Sequence, residues 1–213
     1  MRRAAEELDD EAAQPFQPPF RLAKRGARDS SALNAADTGV AHHKFLEHFA
    51  LEKAIDLKSF AMEARRLEKE NYLSAEAAAA LDLNALADFW DSKIGKKIRA
   101  NAAAIRRELP FTAAFEPKEL DAVFGREPAR ELAGETIVVQ GVADLVVLLP
   151  KEIWLVDFKT DAVSAKELPE KTALYAPQLK LYALALERIY SRPVTNCWLH
   201  FLAVRKTVDV PRP

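Results

Sequence analysis

The chain has 213 residues, with 31 Lys and Arg against 32 Asp and Glu and a formal net charge of −1, which excludes a uniformly basic coat protein for nucleic acid and confines any such contact to a local patch. A hydrophobic fraction of 49% beside 30% charged residues excludes disorder as the dominant state. The single cysteine, Cys197, cannot close an internal disulfide, complete a four-thiolate zinc site or anchor an iron–sulfur cluster, so the expected surroundings are reducing and cytoplasmic.

Residues 1–30 mix charges with Pro15, Pro18 and Pro19 without a sustained period and read as a flexible arm or linker. Arg2 and Arg3 lead into acidic and polar sequence where a secretory signal would carry an apolar core. From Asp37 to Arg107 the period is helical: Val40 to Leu57, Leu57 to Asn71, Ser74 to Trp90 with Ser74 as N-cap, and Ile94 to Arg107. The character changes at Pro110. Phe111 to Phe115, Thr136 to Leu149, Ile153 to Thr160 and Val194 to Val204 are β-branched, aromatic and short, as strands are. Ala176 to Tyr190 is apolar at helical spacing, with Pro177 suited to its first turn. The layout predicts an α/β fold with a mixed central sheet behind a helical N-terminal half.

The most apolar stretch, Ile137 to Leu149, is too short to span a bilayer and carries Asp144, so no membrane is expected. Gly95-Lys96-Lys97 lacks the Ser or Thr and the upstream glycine of a phosphate-binding loop, so no nucleotide is expected either. Asp144 is the one charge in its strand, and a carboxylate there costs several kcal/mol unless it is paired, hydrogen-bonded or metal-bound. In the next strand, alternation puts Asp157 and Lys159 on one face, either as a plain ion pair or, with a second carboxylate nearby, as a site for a hard divalent cation and a phosphate. Cys197 and His200 stand on opposite strand faces and cannot share a metal. Lys93, Lys96, Lys97, Arg99, Arg106 and Arg107 form a basic run that reads equally as a track for a nucleic-acid backbone and as a solvated helix face.

Gly141-Val142-Ala143-Asp144, Asp157-Phe158-Lys159-Thr160 and Tyr175-Ala176-Pro177-Gln178-Leu179-Lys180-Leu181-Tyr182 resemble, in order and spacing, the G-x-x-D, D-[FY]-K-[ST] and Y-x-x-Q-x-x-x-Y elements of RecB-like nucleases in the PD-(D/E)XK superfamily. Gly39-Val40-Ala41-His42-His43 resembles the family's G-T-x-x-H helix, with Val40 in place of Thr. By that count the metal-ligating histidine is His43, and His42 lies about 100° around the helix. Arg107-Glu108-Leu109-Pro110-Phe111 resembles the R-E-x-P-F element of the AddA or RecB helicase-nuclease branch.

The resemblance implies a restriction-endonuclease-like PD-(D/E)XK core with a mixed central sheet flanked by helices, over residues 31–213: a helical part, 31–108, carrying the metal-ligand histidine, and an α/β catalytic core, 109–213. It implies a Mg²⁺-dependent deoxyribonuclease, most simply an exonuclease, serving double-strand-break repair and recombination beside a helicase domain or subunit, with DNA as substrate. Asp144, Asp157 and His43, with the main-chain carbonyl of Phe158, would hold Mg²⁺, and the imidazole ligand implies that Mn²⁺ can substitute. Lys159 would act on the attacking water or the phosphate. Gln178, Tyr182, Tyr175, Glu108 and Thr160 would support the site or contact DNA. The alternatives are a stand-alone RecB-like exonuclease and an inactive nuclease-fold module that binds DNA or a partner; the latter class usually loses an Asp or the Lys, and all three are present here.

Overall fold

In the computed structural model, residues 33–53, 56–124 and 135–212 are described, apart from the side chains of 122 and 124. The flexible-arm reading of 1–30 falls outside them. Helix α1 (Ala35–His48) starts at Asn34, whose side chain accepts the Asp37 N–H, and α2 (Leu57–Lys69) starts at a capping box between Asp56 and Ser59. Phe60, Ala64 and Leu67 form the buried stripe of α2 at helical spacing.

The single helix expected over Ser74 to Trp90 is two: α3 (Ala75–Ala79), N-capped by Ser74 as expected, and α4 (Leu83–Asp91). The break comes at Asp82, whose carboxylate caps the Ala85 N–H while its own N–H donates to His42 Nε2 at 2.9 Å, a tertiary bond that period alone does not reveal. The last N-terminal helix also ends early. Helix α5 (Lys93–Arg99) and a 3₁₀ turn (Ala102–Ala104) give way to a strand at Ile105.

Five strands follow in sheet order β1-β2-β3-β4-β5: β1 (Ile105–Phe115), β2 (Ile137–Leu148), β3 (Ile153–Lys159), β4 (Val194–Phe201) and β5 (Lys206–Asp209), the last not foreseen. A short helix α6 (Pro117–Phe124), also not foreseen, follows β1. Strands β3 and β4 pair in parallel and every other pair is antiparallel, so the sheet is mixed as expected. The parallel pair requires a crossover, which α7 (Leu168–Tyr190) supplies. It begins eight residues before the expected start, with Pro169 in its first turn; Pro177 therefore lies inside the helix and leaves the Ala173 carbonyl without its i+4 partner.

The sheet is covered on both faces. Phe45, Phe49, Phe60, Phe89, Trp90 and Ile98 of the N-terminal helices pack on Leu145, Val147, Trp154, Val156, Phe158 and Trp198. On the opposite face Leu179, Ala183 and Leu186 of α7 pack on Ala143, Val146, Ile153, Leu155, Cys197, Leu199 and Phe201. Cys197 belongs to the α7 face, while the His200 ring packs on Phe89 and Phe158 on the other, as the strand spacing requires.

Candidate active site

The β1–β2 ribbon changes face at one point. On β2, Ala143 packs with the α7 core and Leu145, two residues on, with the N-terminal helices. On β1, Phe111 belongs to the α7 core while Ile105 packs against the other. In a flat strand each such pair would share a face. Glu108 lies between the register pairs Arg107↔Leu145 and Leu109↔Ala143, opposite Asp144, and has a left-handed φ of 45°. A non-glycine residue there is strained by about 1–2 kcal/mol and persists only where the surroundings hold it.

The two carboxylates at this twist meet the His43 ring from α1: Nδ1 lies 3.4 Å from Glu108 Oε1 and 3.6 Å from Asp144 Oδ1. One donor atom from each of the three lies within 4.8 Å of the others. Asp144 Oδ2 accepts the Phe158 N–H at 2.7 Å, which ties the end of β3 to this point. Burial pushes the Asp144 carboxyl up to about 8, reinforced by the negative charge of Asp157. Burial alone would lower His43, but its contact with Glu108 and the charges of Asp144 and Asp157 raise it to about 9.

Asp157 is 5% exposed and faces α7. Its Oδ2 lies 2.8 Å from Lys159 Nζ, a buried ion pair. Lys159 Nζ also donates to Gln178 Oε1 at 3.0 Å and lies 4.2 Å from the centre of the Tyr175 ring. Gln178 Nε2 donates to Tyr182 Oη at 3.2 Å, and Tyr182 packs edge-on against Phe111. The expected residues of β3 and α7 are thus neighbours. A Cβ on Gly141 would stand 2.7 Å from Phe111 and 3.1 Å from Tyr182, and one on Gly39 2.7 Å from Thr160 Oγ1. Both motif glycines are therefore places of close approach, and the second lets the start of α1 seat against the end of β3.

His42, beside His43, has a different task. Because its Nε2 accepts the Asp82 N–H, the proton sits on Nδ1 and goes to the Thr38 carbonyl at 2.8 Å; burial lowers its pKa. In the basic run, Arg107 Nη1 donates to the Leu46 and Phe49 carbonyls, Lys97 lies 4.0 Å above the Trp154 ring, and Lys96 pairs with Asp91. Sequence reasoning missed Asp161, whose carboxylate accepts the Tyr175 hydroxyl; its only local signal is that it lies two residues beyond Lys159.

A sequence model of the PD-(D/E)XK nuclease superfamily matches residues 19–209. The chain belongs to that superfamily. The mixed five-stranded sheet with flanking helices is this chain's version of the PD-(D/E)XK nuclease fold. It is 35% identical over 170 residues to an ATP-dependent helicase/nuclease subunit of Moorella thermoacetica, covering 80% of this chain and 12% of that one. It is 30% identical over 189 residues to the protein of the same name in Bacillus mycoides, covering 85% and 15%. The chain thus spans only a small part of these relatives' length. The crystal structure of SSO0001 aligns over 84% of this chain and 76% of that one at 16% identity and a TM-score of 0.37, too weak a likeness to carry weight. Among the described residues no helix is long and apolar enough to cross a membrane.

The donor set fits a hard divalent cation. Among the described residues, two carboxylates and an imidazole converge from three elements, and a further buried carboxylate, Asp157, stands on the adjoining strand with its Oδ2 against the Lys159 ammonium.

Proposed function

We propose that this chain is a Mg²⁺-dependent deoxyribonuclease, acting as an exonuclease and forming the nuclease part of a helicase-nuclease in double-strand-break repair and recombination. Residues 31–213 would be the nuclease domain, with 31–108 bringing His43 and 109–213 the catalytic core. The observation that carries the reading is the convergence of Glu108, Asp144 and His43 at the ribbon twist, with Asp157 and Lys159 on the adjoining strand. Two relatives whose names couple a helicase to a nuclease support the helicase partner and a nucleic-acid substrate.

His43, Asp144 and Asp157, with the Phe158 carbonyl and with Glu108 beside them, would hold Mg²⁺, or Mn²⁺ in its place. Bound there, the cation would acidify a water and neutralise charge on the phosphate. The Lys159 ammonium orients the attacking oxygen or stabilises the phosphate oxygens. Gln178 holds that ammonium through its side-chain oxygen, and Tyr182 holds Gln178. Thr160 seats α1 so that His43 faces Asp144.

The test is cleavage of linear DNA by the purified 213-residue chain. Cleavage is expected with Mg²⁺ or Mn²⁺ and not in excess chelator, and Asp157→Ala should abolish it while the thermal melt stays cooperative. Cleavage that survives chelation, or an unimpaired Asp157→Ala protein, refutes the reading. A chain that binds DNA without cutting it would favour the inactive module.

A further inference from the structure

We infer that Asp161 is a positioning residue: through Tyr175 it holds the aromatic face on which the Lys159 ammonium rests. The inference builds on the proposed nuclease reading, but its geometry stands without it. Among the described residues Lys159 Nζ meets Asp157 Oδ2 at 2.8 Å, Gln178 Oε1 at 3.0 Å and the Tyr175 ring at 4.2 Å. The first is a buried carboxylate of the same strand, already at contact distance, which leaves open where around its oxygen the ammonium stands. The other two pull from α7. Gln178 does so with one hydrogen bond; Tyr175 does so with a ring whose electron-rich face attracts a cation only while the ring keeps its orientation.

That orientation is set at the far end of the ring. The Tyr175 hydroxyl donates to Asp161 Oδ2, and Lys171 Nζ lies 3.7 Å from the same oxygen, one turn before Tyr175 on α7. Asp161 thus ties the loop after β3 to α7, two residues beyond the lysine it serves. A hydroxyl donating to a carboxylate also enriches the ring in electron density and strengthens its attraction for the ammonium. Tyr175 makes a tilted contact with Phe201 as well, at 6.3 Å between centroids, which supports the ring from the sheet.

The conservative and disruptive variants separate this role from bulk charge. Asp161→Asn keeps an oxygen that can accept the phenol proton and loses the charge; Asp161→Ala loses both. Tyr175→Phe keeps the aromatic face and loses the tether; Tyr175→Leu loses both. In single-turnover cleavage at saturating Mg²⁺, Tyr175→Leu and Asp161→Ala should each slow the reaction, by about 5- to 10-fold for loss of a largely desolvated cation–aromatic contact. Asp161→Asn should restore most of the rate, and the Mg²⁺ needed for half-maximal cleavage should stay within about twofold, since the cation-holding groups are untouched. The double variant Asp161→Ala/Tyr175→Leu should be no slower than Tyr175→Leu alone, because one residue acts through the other.

A second measurement needs no activity. Acetylation of the intact, metal-free chain, read by mass spectrometry at each lysine, should modify Lys159 several-fold faster in Asp161→Ala and Tyr175→Leu than in the parent or in Asp161→Asn. Exposed Lys118 serves as the internal standard. Additive slowing in the double variant, or unchanged Lys159 labelling in Asp161→Ala, overturns the inference. A parent chain that fails to cleave DNA while Lys159 labelling follows the expected order would instead count against the nuclease reading and leave the brace standing.

Discussion

His42 and His43 are adjacent in the chain and differ in what each ring nitrogen faces. Both nitrogens of His42 are engaged by the backbone, one by Thr38 and one by Asp82, whereas Nδ1 of His43 faces Glu108 and Asp144. His42→Ala should therefore lower unfolding stability by about 2 kcal/mol, the cost of two buried groups losing partners, in a urea melt. It should leave the Mg²⁺ requirement of the folded protein unchanged. His43→Ala should do the reverse, raising the Mg²⁺ needed for half-maximal cleavage, and a titration with the two effects exchanged would show that α1 presents the other ring. At Glu108 the φ of 45° penalises every side chain with a Cβ. Glu108→Gly and Glu108→Ala both remove the carboxylate and should both demand more Mg²⁺. The glycine variant should nevertheless be the more stable of the two by about 1 kcal/mol, opposite to the usual order within a strand. Equal melting temperatures, or alanine ahead, would refute the strain at this position.

At the scale of elements, the basic run shows how a charge pattern divides once helices pack. Arg107 leaves the solvent side and donates to the Leu46 and Phe49 carbonyls at the C-terminal end of α1, with its guanidinium against the Phe49 ring. It supplies the partners that the last turn of a helix lacks. Arg107→Ala should destabilise the chain by about 2 kcal/mol, the range for hydrogen bonds from a charged donor. DNA affinity of the folded fraction should change little, and a large loss of affinity at unchanged stability would place Arg107 at the nucleic acid instead. Helix α7 shows the opposite case, where an element outlasts its apparent breaker. Pro177 removes one hydrogen bond inside the helix, but Leu179, Ala183 and Leu186 bury the following turns against the sheet, and that burial outweighs the lost bond. Gln178 follows directly, so the altered helix interior lies where α7 meets Lys159.

For the molecule as a whole, a formal net charge of −1 provides no long-range attraction for DNA, and much of the local basic run is tied to protein groups. The matched relatives are far longer than the segment they share with this chain, since it covers 12% and 15% of them. The chain by itself should bind DNA weakly and cut it distributively, and joining or mixing it with a helicase module of the relatives' kind should raise processivity. Product-length distributions under single-hit conditions distinguish the cases, and long processive digestion by the 213 residues alone would favour a stand-alone exonuclease.

Strand alternation and element order made the α/β class, the mixed sheet and the shared face of Asp157 and Lys159 legible in the sequence, whereas the choice of His43 over His42 came from the resemblance to the nuclease motif. Period and alternation act between residues a few positions apart, so spacing encodes the elements and their faces; the parallel pairing of β3 with β4 joins distant residues and is signalled only by the helix between them. The convergence of Glu108 on His43 was not legible in the same way, because it depends on a left-handed residue opposite Asp144, and backbone twist leaves no mark in composition. The break at Asp82, the strand beginning at Ile105 and the docking of Arg107 on α1 likewise come from contacts between residues far apart in the chain, 40 positions for Asp82 with His42 and 61 for Arg107 with Leu46. Asp161 is the plainest instance: a polar residue in a loop reads as solvated until α7 lays the Tyr175 hydroxyl against it. Side chains brought together by separate elements acquire their partners only when those elements pack, and local sequence carries no record of that proximity.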